Sequence, residues 1–257
     1  MIDLSLWWPF LLVFVRITSF LATAPVFSGR QIPAQQKVAF SIVLSALCAG
    51  TLNVPLDSVA MDMLFLLILK EAFAGAALGL AAAIFFYAVQ VAGTLIDFQI
   101  GFLMANFFDP TFQTNTQLTG RLKNVLAVLI LLATNGHHLL IQGLLASFDW
   151  IPLDSYIPAW SDGRLASFLL DCTAKMFQAG FMMAAPIMGT LFIVDIALGI
   201  ISKTVPQMNL IAIFPPIKIL LHFAVYLLVL PGLFYLMVKL FETMFTSMSS
   251  MMKIMGA

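Results

Sequence analysis

Residues 202–219, SKTVPQMNLIAIFPPIKI, set Lys203, Gln207, Asn209 and Lys218 together with Pro206, Pro215 and Pro216 between two long apolar runs. A proline removes one backbone N–H and frees the carbonyl four residues before it. In an apolar environment each freed group needs a partner within the protein or in a water-filled cavity. The segment therefore reads as a specialised re-entry, where helices break and polar groups converge.

The rest of the chain makes that environment apolar. Of its 257 residues 62% are hydrophobic and only 9% charged, and its mean hydropathy is +1.05. A soluble domain carries roughly 25% charged residues, so the composition points to an integral membrane protein bathed in lipid. Net charge is zero, which provides no basic face for nucleic acid. Cys48 and Cys172 lie far apart in apolar surroundings and read as small buried thiols. The N-terminal run has no Lys or Arg before Arg16 and no small-residue cleavage site, so it is expected to stay as a first helix.

Six apolar segments are expected, at residues 4–27, 38–54, 72–96 (with an extra apolar turn at 63–69), 125–148, 176–201 and 219–238. Lipid forbids unpaired backbone groups, and the period-2 alternation of a membrane barrel is missing, so the fold class is all-α, with about six kinked hydrophobic helical segments. Lys and Arg divide six against five between the two sides, which encodes orientation weakly and favours both termini outside the cytoplasm.

Chemistry-bearing residues are few. Arg16 and Asp195 are expected deep in the spans, whereas Lys70, Glu71 and Asp97 fall near segment ends, where long side chains reach water cheaply. Two isolated charges make no proton relay, and structural or inter-subunit pairing is the favoured role. Neighbouring His137 and His138 point about 100° apart on a helix and cannot grip one metal from one face. Asn135 and Gly136 beside them mark a helix interruption. With no nucleotide motif and no nucleophile beside a base, the sequence supports neither catalysis nor a cofactor or metal.

Three patterns suggest packing. Gly75, Gly79 and Ala83 share a helical face, as do Gly180, Ala184 and, one residue on, Ala185 with Gly189; such faces serve contacts within or between subunits. Met244, Met248, Met251 and Met255 form a stripe that docks on the same chain or on a partner. The stretch 106–120, NFFDPTFQTNTQLTG, has one charge, Asp109, a breaking Pro110, and Phe107, Phe108 and Phe112 within six positions. An exposed loop is one reading. A loop tucked into a channel also suits rings that seal and amides that satisfy local backbone.

Motifs run nearly end to end. They are Arg16, Pro25, Pro33 and Lys37; DFQIG at 97–101; NGHH at 135–138; Trp150-Ile151-Pro152-Leu153; and Pro206-Gln207-Met208-Asn209 followed by Pro216 and Lys218. This series resembles the FliR/SctT family of type III export-gate subunits, and NGHH favours its flagellar branch. The double proline Pro215-Pro216 departs from the family pattern and leaves the local helix start open. The resemblance implies a FliP-like part (1–175) followed by a FliQ-like helical hairpin and tail (176–257). It implies assembly with FliP, FliQ and FlhB homologues in the bacterial inner membrane at the flagellar basal body, passing unfolded flagellar proteins. It also implies that Asn106, Phe107, Phe108, Asp109, Pro110 and Phe112 belong to a pore plug. A second reading, a small-solute or ion secondary transporter, rests on Arg16, Asp195 and the broken helices.

Overall fold

The computed structural model describes residues 7–29, 31–50, 61–101, 118–154, 163–204 and 210–256. The described residues form seven helices and no strand: α1 Trp7–Thr23, α2 Ala34–Ala49, α3 Met61–Ile100, α4 Leu118–Ala133, α5 Gly136–Trp150, α6 Arg164–Thr204 and α7 Leu210–Met255. Three are long and apolar enough to cross a membrane, and α4 with α5 forms a fourth candidate bent by 70°. The chain is thus an all-α integral membrane protein, as its composition requires.

Several helices outrun the apolar segments read from the sequence. The turn at 63–69 joins the following segment in one helix, α3, of 40 residues. Helices α6 and α7 have 41 and 46 residues. At 1.5 Å per residue each reaches about 60–70 Å, twice the roughly 30 Å of a hydrocarbon core. Both prolines of the Phe214-Pro215-Pro216 step lie inside α7, so its start is Leu210 and not beyond them. They are the sixth and seventh residues of α7, past the four N–H groups that have no helical partner in any case, so each leaves a carbonyl, of Ile211 and of Ala212, without its helical bond. The expected interruption at Asn135 is present. Asn135 takes a left-handed φ of 56°, a conformation Asn tolerates better than most residues.

The chain divides into two compact units. Unit 1 comprises residues 1–85, 135–173 and 242–257, and holds α1, α2, the first part of α3, α5, the first turns of α6 and the tail of α7. Its core is Leu12, Ile17 and Phe20 of α1, Leu78 and Ala81 of α3, Leu140 and Leu144 of α5, and the methionine tail. Met244, Met248, Met251 and Met255 are all buried; Met248 Cε comes within 3.3 Å of where a Gly143 side chain would start, and Lys253 lies over the Trp150 ring. The stripe therefore docks on its own chain. Likewise a Cβ on Gly75 would strike Ser19 Oγ and the Arg16 carbonyl, and one on Gly79 would meet Thr23 and the Phe20 carbonyl. That glycine face lets α3 press against α1 within the chain. Helix α2 is inside-out by aqueous standards: it buries Ser41 and Ser45 and exposes Phe40, Val43 and Leu47. Each serine hydroxyl is satisfied by the carbonyl four residues earlier, Ser41 at 2.8 Å and Ser45 at 2.6 Å.

Unit 2 comprises residues 86–134 and 174–241. The second part of α3 is its buried helix, through Ala88, Val89, Ala92 and Ile96. Gly93 and Gly120 touch so closely that a Cβ on Gly93 would overlap the Gly120 Cα. Phe86 stacks on Phe241 at 5.4 Å. Helices α6 and α7 leave large apolar faces open, among them Phe181, Phe192, Ile193, Leu220, Leu227 and Leu228.

Replacing Gly75 with valine should lower the thermal midpoint of the detergent-purified chain, because backbone as well as side chain must move; overpacking of this kind costs about 1–3 kcal/mol. Gly189, with nothing within 4 Å of its hypothetical side chain, is the control: alanine there should leave the midpoint unchanged or raise it. Equal losses from both substitutions would refute the assignment of the Gly75 face to the contact with α1.

Candidate functional site

Arg16 sits in the middle of α1 with no exposed surface. A guanidinium has five N–H donors, and here five bonds use them. Nε and Nη2 take the two carboxylate oxygens of Glu71, the latter at 3.0 Å. Nη1 donates to Ser147 O at 2.9 Å and Ser147 Oγ at 3.2 Å, and Nη2 donates to Ile151 O at 2.7 Å. The Phe148 ring covers the guanidinium at 4.3 Å. Lys70 adds a second cation: its Nζ lies 3.0 Å from Glu71 Oε1 and donates to Pro152 O at 2.7 Å and Leu153 O at 3.2 Å. Two cations meet one carboxylate, and the surplus positive charge faces carbonyls at and beyond the C-terminus of α5, the negative end of its dipole.

Lys70 and Glu71 thus do not reach for water from a segment end; both are fully buried. They fall mid-helix because α3 begins at Met61. The signal was in the sequence, a Lys-Glu pair inside an apolar run, but helix length decided its depth. Asp97 departs from expectation in the same way. It is 1% exposed and accepts from Thr119 N–H at 3.2 Å, Thr119 Oγ1 at 2.5 Å and Gly120 N–H at 3.4 Å. A carboxylate from α3 therefore caps the first turn of α4, satisfying donors that a helix start leaves unpaired.

Asp195 of α6 and Lys218 of α7 form an ion pair, with side chains 31% and 17% exposed. Gln99 of α3 joins them, donating from Nε2 to Asp195 Oδ2 at 2.8 Å, while its own carbonyl accepts from Lys218 Nζ at 3.5 Å. Three helix segments of unit 2 meet at this cluster. The structure thus brings together two of the candidate residues, Asp195 and Lys218; Gln99 lies in the DFQIG motif, but that motif did not show that its side chain pairs with Asp195. Pro216 lies in α7 two residues before Lys218. Arg16, for which structural pairing was the favoured role, belongs to unit 1 and is paired there with Glu71. Asn106, Phe107, Phe108, Asp109, Pro110 and Phe112, and also Pro206, Gln207, Met208 and Asn209, lie outside the described residues.

The rings of His137 and His138 touch at 4.1 Å between centroids, in the first turn of α5. Among the described residues no group of His, Cys, Asp and Glu is arranged to hold a metal ion.

The model of the family described as "Bacterial export proteins, family 1" matches residues 7–244. The chain belongs to this family. It is similar to the Flagellar biosynthetic protein FliR of Bacillus subtilis (strain 168), 36% identical over 247 residues, covering 96% of this chain and 95% of that protein. It is similar to the protein of the same name from Escherichia coli (strain K12), 31% identical over 214 residues, covering 82% of this chain and 78% of that one. The Yop proteins translocation protein T of Yersinia pestis is 30% identical over 166 residues, covering 65% of this chain and 63% of that protein.

The two clusters should respond differently to neutralisation. Glu71→Gln strands two buried cations, and breaking a buried pair costs about 3–5 kcal/mol; the variant should lose most of its monodisperse yield in mild detergent. Asp195→Asn removes a partly exposed pair, of the order of 0–1 kcal/mol, and should retain its yield. If Glu71→Gln purified like the parent chain, the Arg16 network would not hold unit 1 together.

Proposed function

We propose that the chain is a pore-forming subunit of the flagellar type III protein export gate. It sits in the bacterial inner membrane at the flagellar basal body, assembles with FliP, FliQ and FlhB homologues, and passes unfolded flagellar proteins. The observation that carries this reading is membership in the export family over nearly the whole chain, joined to similarity with proteins named FliR along most of both sequences. The partial length of the match to the translocation protein favours the flagellar branch. The open apolar faces of α6 and α7 support an assembled, membrane-bound state, since lipid or other export components must cover them.

The transporter alternative drew on Arg16 and Asp195 as isolated intramembrane charges. Arg16 is fully committed to Glu71 and α5, and Asp195 is paired with Lys218. Neither is left as a free ligand for a solute.

The pore plug at 106–112 and the 206–209 motif remain part of the proposal. Two observations support placing function there. Asp97 ties the end of α3 to the start of α4, so the stretch between residues 101 and 118 leaves and returns at one point of unit 2. Lys218, downstream of the 206–209 motif, binds both Asp195 and the Gln99 carbonyl, two residues before that stretch begins.

In a strain lacking its own copy, this chain should restore motility and flagellin secretion. Lys218→Ala should cut secreted flagellin at matched protein level, while His138→Ala should leave it near wild type. Shortening residues 106–117 should raise small-ion conductance through the assembled gate without preventing assembly, because buried aromatic area is lost from the closed state alone. Unchanged conductance, together with ready labelling of a Thr114→Cys variant by a bulky thiol reagent, would assign the loop to the surface. Failure to restore secretion with a stable wild-type chain would sink the export reading itself.

A further inference from the structure

Unit 2 contains three buried side chains whose polar atoms find no hydrogen-bond partner among the described residues: Lys123 Nζ, His222 Nδ1 and Tyr226 Oη. Lys123 and His222 are each 1% exposed, and Tyr226 is 6% exposed. They are neighbours. His222 and Tyr226 are one turn apart on α7, with ring centroids 5.7 Å apart, and Lys123 of α4 places its Nζ 5.6 Å from the centre of the Tyr226 ring. Neither the Asp97 cap nor the Asp195 cluster uses them.

Buried polar atoms are almost always bonded, and one left without a partner loses its whole hydration. Three such side chains gathered at one helix contact point to a shared ligand. We propose that Lys123, His222 and Tyr226 form an internal water site that joins α4 to α7. A buried water typically makes about three bonds to groups that lack protein partners. Water can accept from the Lys123 ammonium, which has donors only, and either accept from or donate to the Tyr226 hydroxyl and His222 Nδ1. A metal cation fits poorly beside an ammonium. An anion has less call on the site, because the Asp97 carboxylate already brings negative charge to the first turn of α4, one turn before Lys123. A small neutral ligand that both donates and accepts suits the set, and water is the one small enough to enter a closed helix contact. The α4–α7 seam is then held through bonds that can be exchanged one at a time, unlike the direct contacts that hold α3 against α1.

The test compares apolar substitutions in the full-length chain purified in detergent. A bridging water loses a partner when one side chain is replaced, so Tyr226→Phe, His222→Phe and Lys123→Met should each lower the thermal midpoint, by about 2–4 °C for a chain of this size. The triple variant removes every polar atom at the site, and its midpoint should return to that of the parent or exceed it. A cryo-EM map of the assembled gate, at a resolution that shows ordered water, should carry density within hydrogen-bond distance of all three atoms. A rise in midpoint for Tyr226→Phe would mean a dry, unpaired hydroxyl and would overturn the proposal. So would a map in which the three atoms bond directly to one another or to another chain. Should a variant fail to fold, the map of the parent assembly decides.

Discussion

A guanidinium keeps its charge wherever the chain puts it, so burying one obliges the surroundings to supply acceptors for every donor. Arg16 imposes that demand on unit 1. Glu71 must face it from α3, and α5 must end where Ser147 O, Ser147 Oγ and Ile151 O can meet the remaining donors. Close approach of α1 to α3 follows, which is why Gly75 and Gly79 have no room for a side chain. The positive surplus of Lys70 then fixes the turn after α5 through Pro152 O and Leu153 O. A glycine face, a helix end and the turn after it thus follow from a single cation in the middle of α1.

The same rule, that polar groups in an apolar setting must be satisfied locally, orders the rest. Ser41 and Ser45 turn inward and bond their own helix, leaving the apolar side of α2 outward. Asp97 gives the first turn of α4 the acceptors that water would give a soluble helix. Asn135 absorbs a left-handed turn, so α4 can end and α5 begin with only Thr134 and Asn135 between them.

How much of this could be read from the sequence depended on range. Fold class followed from composition and the lack of period-2 alternation, since lipid allows few alternatives. The break at Asn135 was visible because Asn-Gly is a local signal. Family motifs around Arg16, Asp97 and Lys218 pointed to residues that the structure finds engaged, without showing their partners. Long-range pairing was hidden: Glu71 lies 55 positions from Arg16, and Ile151 lies 135. Depth was hidden as well. Hydropathy ended two runs just before Lys70 and just before Asp97, while α3 continues past both, where Lys70, Glu71 and Asp97 find partners. The methionine stripe was legible as a packing surface, but its periodicity holds equally for a partner chain and for the same chain, and only the fold distinguishes them.

The two charged clusters differ in a way that bears on the export role. Arg16, Lys70 and Glu71 are closed off, so separating them strands charge, and unit 1 is tied where they meet. Asp195 and Lys218 keep part of their surface open on helices otherwise coated with Phe, Ile and Leu. An open ion pair cannot face hydrocarbon without a cost of several kcal/mol, about 2.5 or more for each charge near the bilayer centre. The side of α6 and α7 that bears this pair must therefore look onto water or onto polar groups of another chain, while their bare apolar faces look onto lipid or apolar protein. Helices with two such faces suit a wall between a membrane and an aqueous path, which is what a subunit of a protein export gate has to provide.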